Sequence, residues 1–499
     1  MIYKKCPSNA GTTCVSSYKK NSILLIVTLV LAGCASMAPP YTAPALPVAA
    51  RYASDSPDAP AEGANAAATD WHDYFSDPAL RSLIAQALAH SRDLRAAMLR
   101  VEEARAVYGI QRADQFPSIT AQAGGTRSRT PADRGFTGKP LLGNQFQVAL
   151  GLASWELDFW GRVHSLQDAA LENYLATDAA RRAATVALVA QVANGYLAVH
   201  ELGERITLAQ QTIASRAESL RIFQRRVAVG ATSRLNLTQV ETLYSQAQAL
   251  GVQLEQARAA QLQALSLLVG APVEMPLTQA ALVTLDAQAI GVPLRAGLPS
   301  DLLLQRPDVL AAEHQLKAAN ANIGAARAAF FPRVALTSSW GTASAELDGL
   351  FQPGSQAWSF SPSISLPIFD MGRRRNNLDL AETRRSLAVV QYEKAVQAAF
   401  RDVSDALSAQ HWLGEQTAIA TRALATQAER ARLSQMRFDN GAAAYLEVLD
   451  AQRDLLAAQQ QLVQTRHALM GSRVSLYAAL GGGALEPTPA ANTTLFAPP

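Results

Sequence analysis

The chain has 499 residues, half of them apolar but only 6% aromatic, with 44 basic against 41 acidic side chains. Large rings are too sparse for a thick globular core, whereas recurring Ala and Gln suit close packing of helix on helix. All four lysines of the first 33 residues belong to one short segment that contains no acid. Without it 40 basic residues face 41 acidic ones, and the basic face that nucleic-acid binding requires is missing.

That first segment, residues 1–33, reads as a secretion signal. Lys4, Lys5, Lys19 and Lys20 form a basic region, and Ile23 to Leu31 an apolar run too short to span a bilayer. The tetrad Leu31-Ala32-Gly33-Cys34 resembles the bacterial lipoprotein cleavage box, which implies that Cys34 becomes an acylated N-terminus. In such lipoproteins an Asp after the Cys favours inner-membrane retention. Ala35 stands there, which points to the outer membrane. Cleavage removes Cys6 and Cys14, so the secreted chain carries no disulfide, and packing alone must hold it. Residues 34–77, Pro-rich over much of their length and without periodicity, read as an extended tether.

Two copies of one unit follow, 78–285 and 286–481, with an irregular tail at 482–499. Gly161-Arg162 recurs as Gly372-Arg373, Val229-Gly230-Ala231 as Asn440-Gly441-Ala442, and Leu268-Val269-Gly270 as Ala479-Leu480-Gly481, all at a spacing of 211. Phe116-Pro117 recurs as Phe331-Pro332 at 215. Each copy opens with a helical stretch, about 78–113 and 300–330, that stops at Phe-Pro because proline lacks the donor a helix interior needs. A strand hairpin comes next, about 118–153 and 333–367. Within it Phe146, Val148, Leu150 and Leu152 alternate with Gln, Ala and Gly, while Trp358, Phe360, Pro362, Ile364 and Leu366 alternate with Ser.

One apolar and one small or polar face over about 10 residues is the pattern of a membrane barrel strand; a strand pair of a soluble sandwich shares it. Four strands cannot close a barrel, and an open edge is not tolerated in hydrocarbon, so further copies must complete it. Two copies give a filled eight-stranded barrel; three give twelve strands and a lumen. The tryptophans Trp340 and Trp358 within strands, and Trp155 and Trp160 just beyond one, are candidates for the aromatic belt at the membrane interface, with ordinary packing as the alternative.

From Gly161 to Val229, and from Gly372 to Asn440, no proline occurs. As helices these 69-residue stretches extend on the order of 100 Å. Val192, Val199, Ile206, Ile213, Leu220 and Val227 fall every seventh residue, a coiled-coil seam that the second copy keeps only in part. Gly230 and Gly441 mark hairpin-tip turns, and returning helices run about 233–269 and 443–480. The fold expected is a mixed α and β membrane protein: a homotrimeric twelve-stranded outer-membrane β-barrel, four strands per chain, continued by a long α-helical periplasmic barrel.

The stretch Leu298-Pro-Ser-Asp-Leu-Leu-Leu-Gln-Arg-Pro-Asp308, continued by Ile323-Gly324-Ala-Ala-Arg-Ala-Ala-Phe-Phe-Pro332, resembles the hallmark of the TolC-like outer-membrane efflux factors in their lipoprotein branch. Trp71, Phe75-Ser-Asp-Pro78 and Val448-Leu449-Asp450-Ala451-Gln452 match the same family; Gln305 and Ser91 depart from it. The resemblance implies a trimeric duct that works with a periplasmic adaptor and an inner-membrane transporter, anchored in outer-membrane lipid with a large periplasmic portion. It also implies that Glu447 and Asp450 line a periplasmic gate, with Arg453 one turn on; the first-copy equivalents are Asn236, Gln239 and Thr242. A ring of such acids from three copies would repel and titrate as a coupled set. The plainer reading is a solvated helix face with an Asp450–Arg453 pair. No His-Glu-x-x-His, phosphate loop or Cys pair suggests an enzyme, a metal or any cofactor beyond the lipid on Cys34. A duct for protein secretion and a poreless coiled-coil lipoprotein are the competing readings.

Overall fold

The computed structural model describes residues 36–49, 52, 64–134, 138–275, 292–295 and 306–484. Cys34, the signal segment and the tail beyond Ala484 lie outside the described residues. By its internal contacts the chain divides into two units. One contains residues up to Pro44, Glu102–Ala176 and Glu313–Gln391; the other contains Ala45–Val101, Thr177–Ala312 and Tyr392 onward.

The elements repeat twice in chain order. A short helix α1 (Trp71–Tyr74) precedes α2 (Pro78–His90), α3 (Arg92–Ala113), β1 (Ile119–Thr130), β2 (Leu141–Leu157), α4 (Arg162–Ala228) and α5 (Arg234–Val269). The second copy supplies α6 (Pro307–Ala328), β3 (Arg333–Ser344), β4 (Gln356–Ser365), α7 (Arg373–Asp439) and α8 (Tyr445–Ala479). Local signals set the boundaries. Asp77 accepts a hydrogen bond from the amide of Ala79 with Pro78 at the first helical position, and the Asp158 carboxylate accepts from the amides of Arg162 and His164 at 2.6 and 2.8 Å. Both hairpin tips turn on glycine in the left-handed region, Gly230 and Gly441 each at φ +71°.

In the first unit the four strands form one antiparallel sheet in the order β1-β2-β3-β4. Register puts Leu150 opposite Ala121 and Trp340, and Trp340 opposite Trp358, so the apolar residues share one face. Gln122, Gln147, Ser339, Ser359, Ser361 and Ser363 share the other, where the Ser339 and Ser359 hydroxyls meet at 2.7 Å. β2 is longer than the alternation to Leu152 suggests. A bulge between Leu152 and Trp155, with Ser154 at φ +46°, inserts one residue and returns Trp155 and Leu157 to the apolar face. Trp155 therefore lies inside a strand rather than beyond it.

Two further expectations change. The helix over 78–113 is broken at buried Ser91, whose extended backbone ends α2 and starts α3. Much of the tether is docked: Asn320 Nδ2 donates to the Pro39 carbonyl at 2.7 Å and Tyr41 to Glu313 at 3.2 Å. A Cβ on Gly324 would stand 2.7 Å from the Ala38 nitrogen, so the glycine of the Ile323-Gly324 motif seats this strand of chain. In the second unit Asn65 and Asp70 cap a 3-10 turn (Ala66–Ala68) and α1, and Tyr74 stacks on Tyr477 at 4.2 Å. Short polar caps between apolar anchors, invisible to a search for periodicity, order this stretch.

Along the second unit's part of the seam Val192, Val199 and Ile206 are buried, while Ile213, Leu220 and Val227 are half-buried. In α8 Leu449, Leu456, Val463 and Met470 are all buried, so the seven-residue repeat there faces the neighbouring helices throughout.

Candidate functional site

Two arrangements carry the function, one in each unit. In the first, the sheet offers the two faces a membrane duct needs. Strands of 12, 17, 12 and 10 residues meet the length that a tilted strand requires to cross a bilayer. Ile119, Leu150, Trp340, Trp358, Phe360 and Ile364 are each more than half exposed on one face of the sheet. A soluble protein rarely leaves so large an apolar surface uncovered, and lipid is its natural contact. Trp340 and Trp358 form a cross-strand pair on this face. Trp155 donates its indole N–H to the Gln115 carbonyl at 3.2 Å, and Trp160 to that of Pro332 at 2.9 Å while stacking on Phe331. The latter two are thus tied to the ends of the Phe-Pro segments, where strand meets helix. Glu156 is half-buried at the same end between Arg162 and Arg333, at 2.8 and 2.7 Å.

In the second unit the tips of the two helical hairpins pack together. Phe223, Val240 and Leu449 form a buried cluster with Leu220, Leu237, Leu243 and Tyr445 around it. Tyr445 Oη lies 2.7 Å from Ser219 Oγ, and the Arg226 guanidinium lies over the rings of Phe223 and Phe438 at 5.8 and 5.5 Å. Arg216, buried beside them, donates to the Leu243 carbonyl at 2.6 Å; burial, and then the nearby Arg453 charge, lower its pKa.

The acids at the second tip are paired. Glu447 Oε1 lies 2.6 Å from Arg437 Nη1 of α7, and Asp450 lies 3.1 Å from Arg453. Arg453 also reaches Asp454 at 3.1 Å, and Arg430 of α7 reaches Asp454 at 2.7 Å. Hydrogen bonds from Arg430 and Arg453 hold the Asp454 carboxyl below the usual range. Within one chain the tip is therefore a ladder of alternating charges across α7 and α8 rather than a set of bare acids. The repulsion expected from a ring of acids is reduced accordingly, because each already has a cation within contact. At the equivalent first-copy positions stand Arg226, Asn236, Gln239, Thr242 and Leu243, so the ladder belongs to the second copy alone. Arg430 and Arg437 were missed in the sequence because their partners lie across the turn, 24 and 10 residues away.

The comparisons with known proteins decide what this architecture is. The family model for outer membrane efflux proteins matches residues 83–271 and 298–482, one segment in each copy. The chain belongs to the outer membrane efflux protein family. The solvent efflux pump outer membrane protein SrpC of Pseudomonas putida is 43% identical over 472 residues, covering 93% of this chain and 98% of that protein. Outer membrane protein OprJ of Pseudomonas aeruginosa is 42% identical over 460 residues, covering 92% and 95%. The open state of the Neisseria gonorrhoeae outer membrane channel MtrE matches at a TM-score of 0.81 and 37% identity, covering 90% of this chain and 99% of that one. This efflux protein is thus an outer-membrane channel, the outer component of a tripartite efflux pump, and works as a homotrimer whose twelve strands form the barrel. The apolar face of the sheet is the lipid face, and the Ser- and Gln-lined face is the lumen.

Proposed function

We propose that this efflux protein is a passive, gated duct whose periplasmic entrance is held by the charge ladder at the second hairpin tip. The observation that carries the proposal is the confinement of Arg437–Glu447, Arg453–Asp450 and Arg430–Asp454 to the second copy, beside an otherwise matching first copy. A duplicated hairpin keeps its core by packing; a charge set in one copy alone marks that copy for a different task. The lumen face of the sheet bears Gln, Thr and Ser, with no charge from Thr120 to Thr126 or from Gln145 to Gly151, so it offers neutral and charged molecules little discrimination. Selection falls to the transporter, and no bond of the substrate is made or broken in the duct. That relatives are named for solvent and for antibiotic efflux supports small organic molecules as its cargo.

The test is single-channel conductance of the full chain in planar bilayers. Asp450→Asn frees Arg453 from one of its two carboxylates, and the expected result is a several-fold larger mean current than the small, mostly closed current of the parent. A ladder in which Asp454 has a depressed pKa is stable above the unfolded carboxylate pKa of about 3.9 and is lost as pH falls through the folded value. The parent current is therefore expected to stay low from neutral pH down to about 4 and to rise only below it. An unchanged current and pH profile in Asp450→Asn would take these residues out of the gate.

Cys34, outside the described residues, is two residues before Ser36, whose hydroxyl lies 3.1 Å from that of Ser165. Docking of 36–41 onto α6, in the unit that carries the sheet, supports an acylated anchor at Cys34. Intact mass of the mature protein is expected to correspond to a chain beginning at Cys34 plus its acyl groups; a chain beginning elsewhere, or one without added lipid, removes this anchor.

A further inference from the structure

The β1–β2 hairpin is longer than the β3–β4 hairpin. Pairing between β2 and β3 ends at Phe146 with Ser344, whereas the β1–β2 ladder continues to Leu141 with Thr130. On the lipid face, side chains from Leu157 to Phe146 are apolar, and the next two cross-strand pairs are Arg127 with Asn144 and Arg129 with Leu142. The face thus changes from apolar to cationic within two residues. Arg134 and Lys139 lie in the connecting loop, and all four cations are exposed. Asp133 is the one acid between Ile119 and Trp155, and among the described residues none of the four cations makes an ion pair. The acidic residues Glu346 and Asp348 belong to the other loop.

The strands enter the sheet from α3 and α6 and leave it into α4 and α7, so both loops lie at the end away from the helices. Given the barrel reading above, on which this inference rests, the loops are extracellular and the two arginines stand just above the apolar band on its lipid side. The outer leaflet there consists of phosphorylated glycolipid. A guanidinium matches a phosphate with two parallel hydrogen bonds, and its hydration is weak enough to be exchanged for them. An outward arginine at this height sits at headgroup level, where an anionic group on the lipid side binds it more strongly than water does.

We propose that Arg127 and Arg129, supported by Arg134 and Lys139, dock the phosphate groups of outer-leaflet glycolipid against the first hairpin of each protomer. The probe is bisphosphorylated lipid A, titrated onto the purified full-length trimer in neutral detergent and read by native mass spectrometry. An arginine near an anionic headgroup contributes roughly a five-fold gain in binding, so the Arg127→Gln/Arg129→Gln variant is expected to bind about 25-fold more weakly. Arg127→Lys/Arg129→Lys should recover only part of the affinity, since an ammonium keeps the charge but not the two parallel hydrogen bonds, and dephosphorylated lipid A should bind the parent as weakly as the Gln variant does. Equal affinity of parent and Gln variant, or of the two lipids, overturns the proposal. So does a fall in trimer melting temperature in lipid-free detergent that Glu346→Gln/Asp348→Asn reproduces, because the arginines would then serve a contact between copies. Conductance of the Gln variant is expected to match the parent, which separates failure of this site from failure of the duct itself.

Discussion

Replacing Arg306 by alanine is expected to lower the unfolding free energy by about 3 kcal/mol, the low end for an ion-pair partner removed from a buried site. The residue is 9% exposed and its guanidinium donates in four directions. Nε and Nη2 reach the Asp308 carboxylate at 2.9 and 2.6 Å, Nη2 reaches Asp402 at 3.3 Å, and Nη1 reaches the Ala479 and Ala399 carbonyls at 3.1 and 3.5 Å. One guanidinium thus ties the start of α6 to α7 and to the last turn of α8. Burial opposes its charge, but the hydrogen bonds and charges of Asp308 and Asp402 outweigh burial and raise its pKa. Both aspartates are about a third exposed or more, so water takes over part of the lost interaction, which sets the low end of the range. Thermal or urea unfolding of the detergent-solubilised protein, followed by helical circular dichroism, reads the effect. Arg306→Lys should recover only part of it, since an ammonium cannot reach two carboxylates and two carbonyls at once. A loss under 1 kcal/mol in the alanine variant would show that the clamp is dispensable.

The Arg306-Pro307-Asp308 stretch thereby acquires a physical account: it is a structural clamp. The first copy solves the same problem without charge. At the position of Arg306, offset by 215, stands Ser91, and Gly270 at the end of α5 packs there at φ +77°. A Cβ on Gly270 would overlap the His90 carbonyl oxygen, so helix end and helix start approach backbone to backbone.

The second large effect is expected in the barrel. Gly341→Ala should reduce the yield of folded trimer severely, with a local cost of about 3 kcal/mol. A Cβ there would overlap the Val148 carbonyl oxygen and stand 2.5 Å from the Ala149 Cα, both backbone atoms of the paired strand. No rotamer change relieves an overlap with backbone, so β2 and β3 must separate and ladder hydrogen bonds must lengthen. Gly143 is the control, because its added Cβ meets nothing within 4 Å and its alanine variant should fold as the parent does. The readout is the heat-sensitive mobility shift of the trimer on gels; equal folded fractions for the two variants would refute the argument.

Much of this protein follows from its sequence alone. Alternation at period two placed the strands, the absence of proline over 161–229 and 372–440 placed the long helices, and the spacing of 211 placed the second copy upon the first. Those signals are local patterns or repeats written along the chain itself, so the chain needs no partner to display them. The two-faced sheet and the glycine turns at Gly230 and Gly441 were legible for the same reason, whereas Glu447 and Asp450 were singled out through the family resemblance. What tertiary structure decided is who meets whom across the fold. Pairing of β2 with β3, the bulge that turns Trp155 to the lipid face, and the seating of Ala38 on Gly324 join segments that share no local pattern. Two of the three cations that neutralise the second hairpin tip, Arg430 and Arg437, come from the neighbouring helix, and three of the four partners of Arg306 lie 93 to 173 residues downstream. A charged side chain carries no mark of its partner in sequence. Burial and distance assign it, and both exist only once the helices have packed.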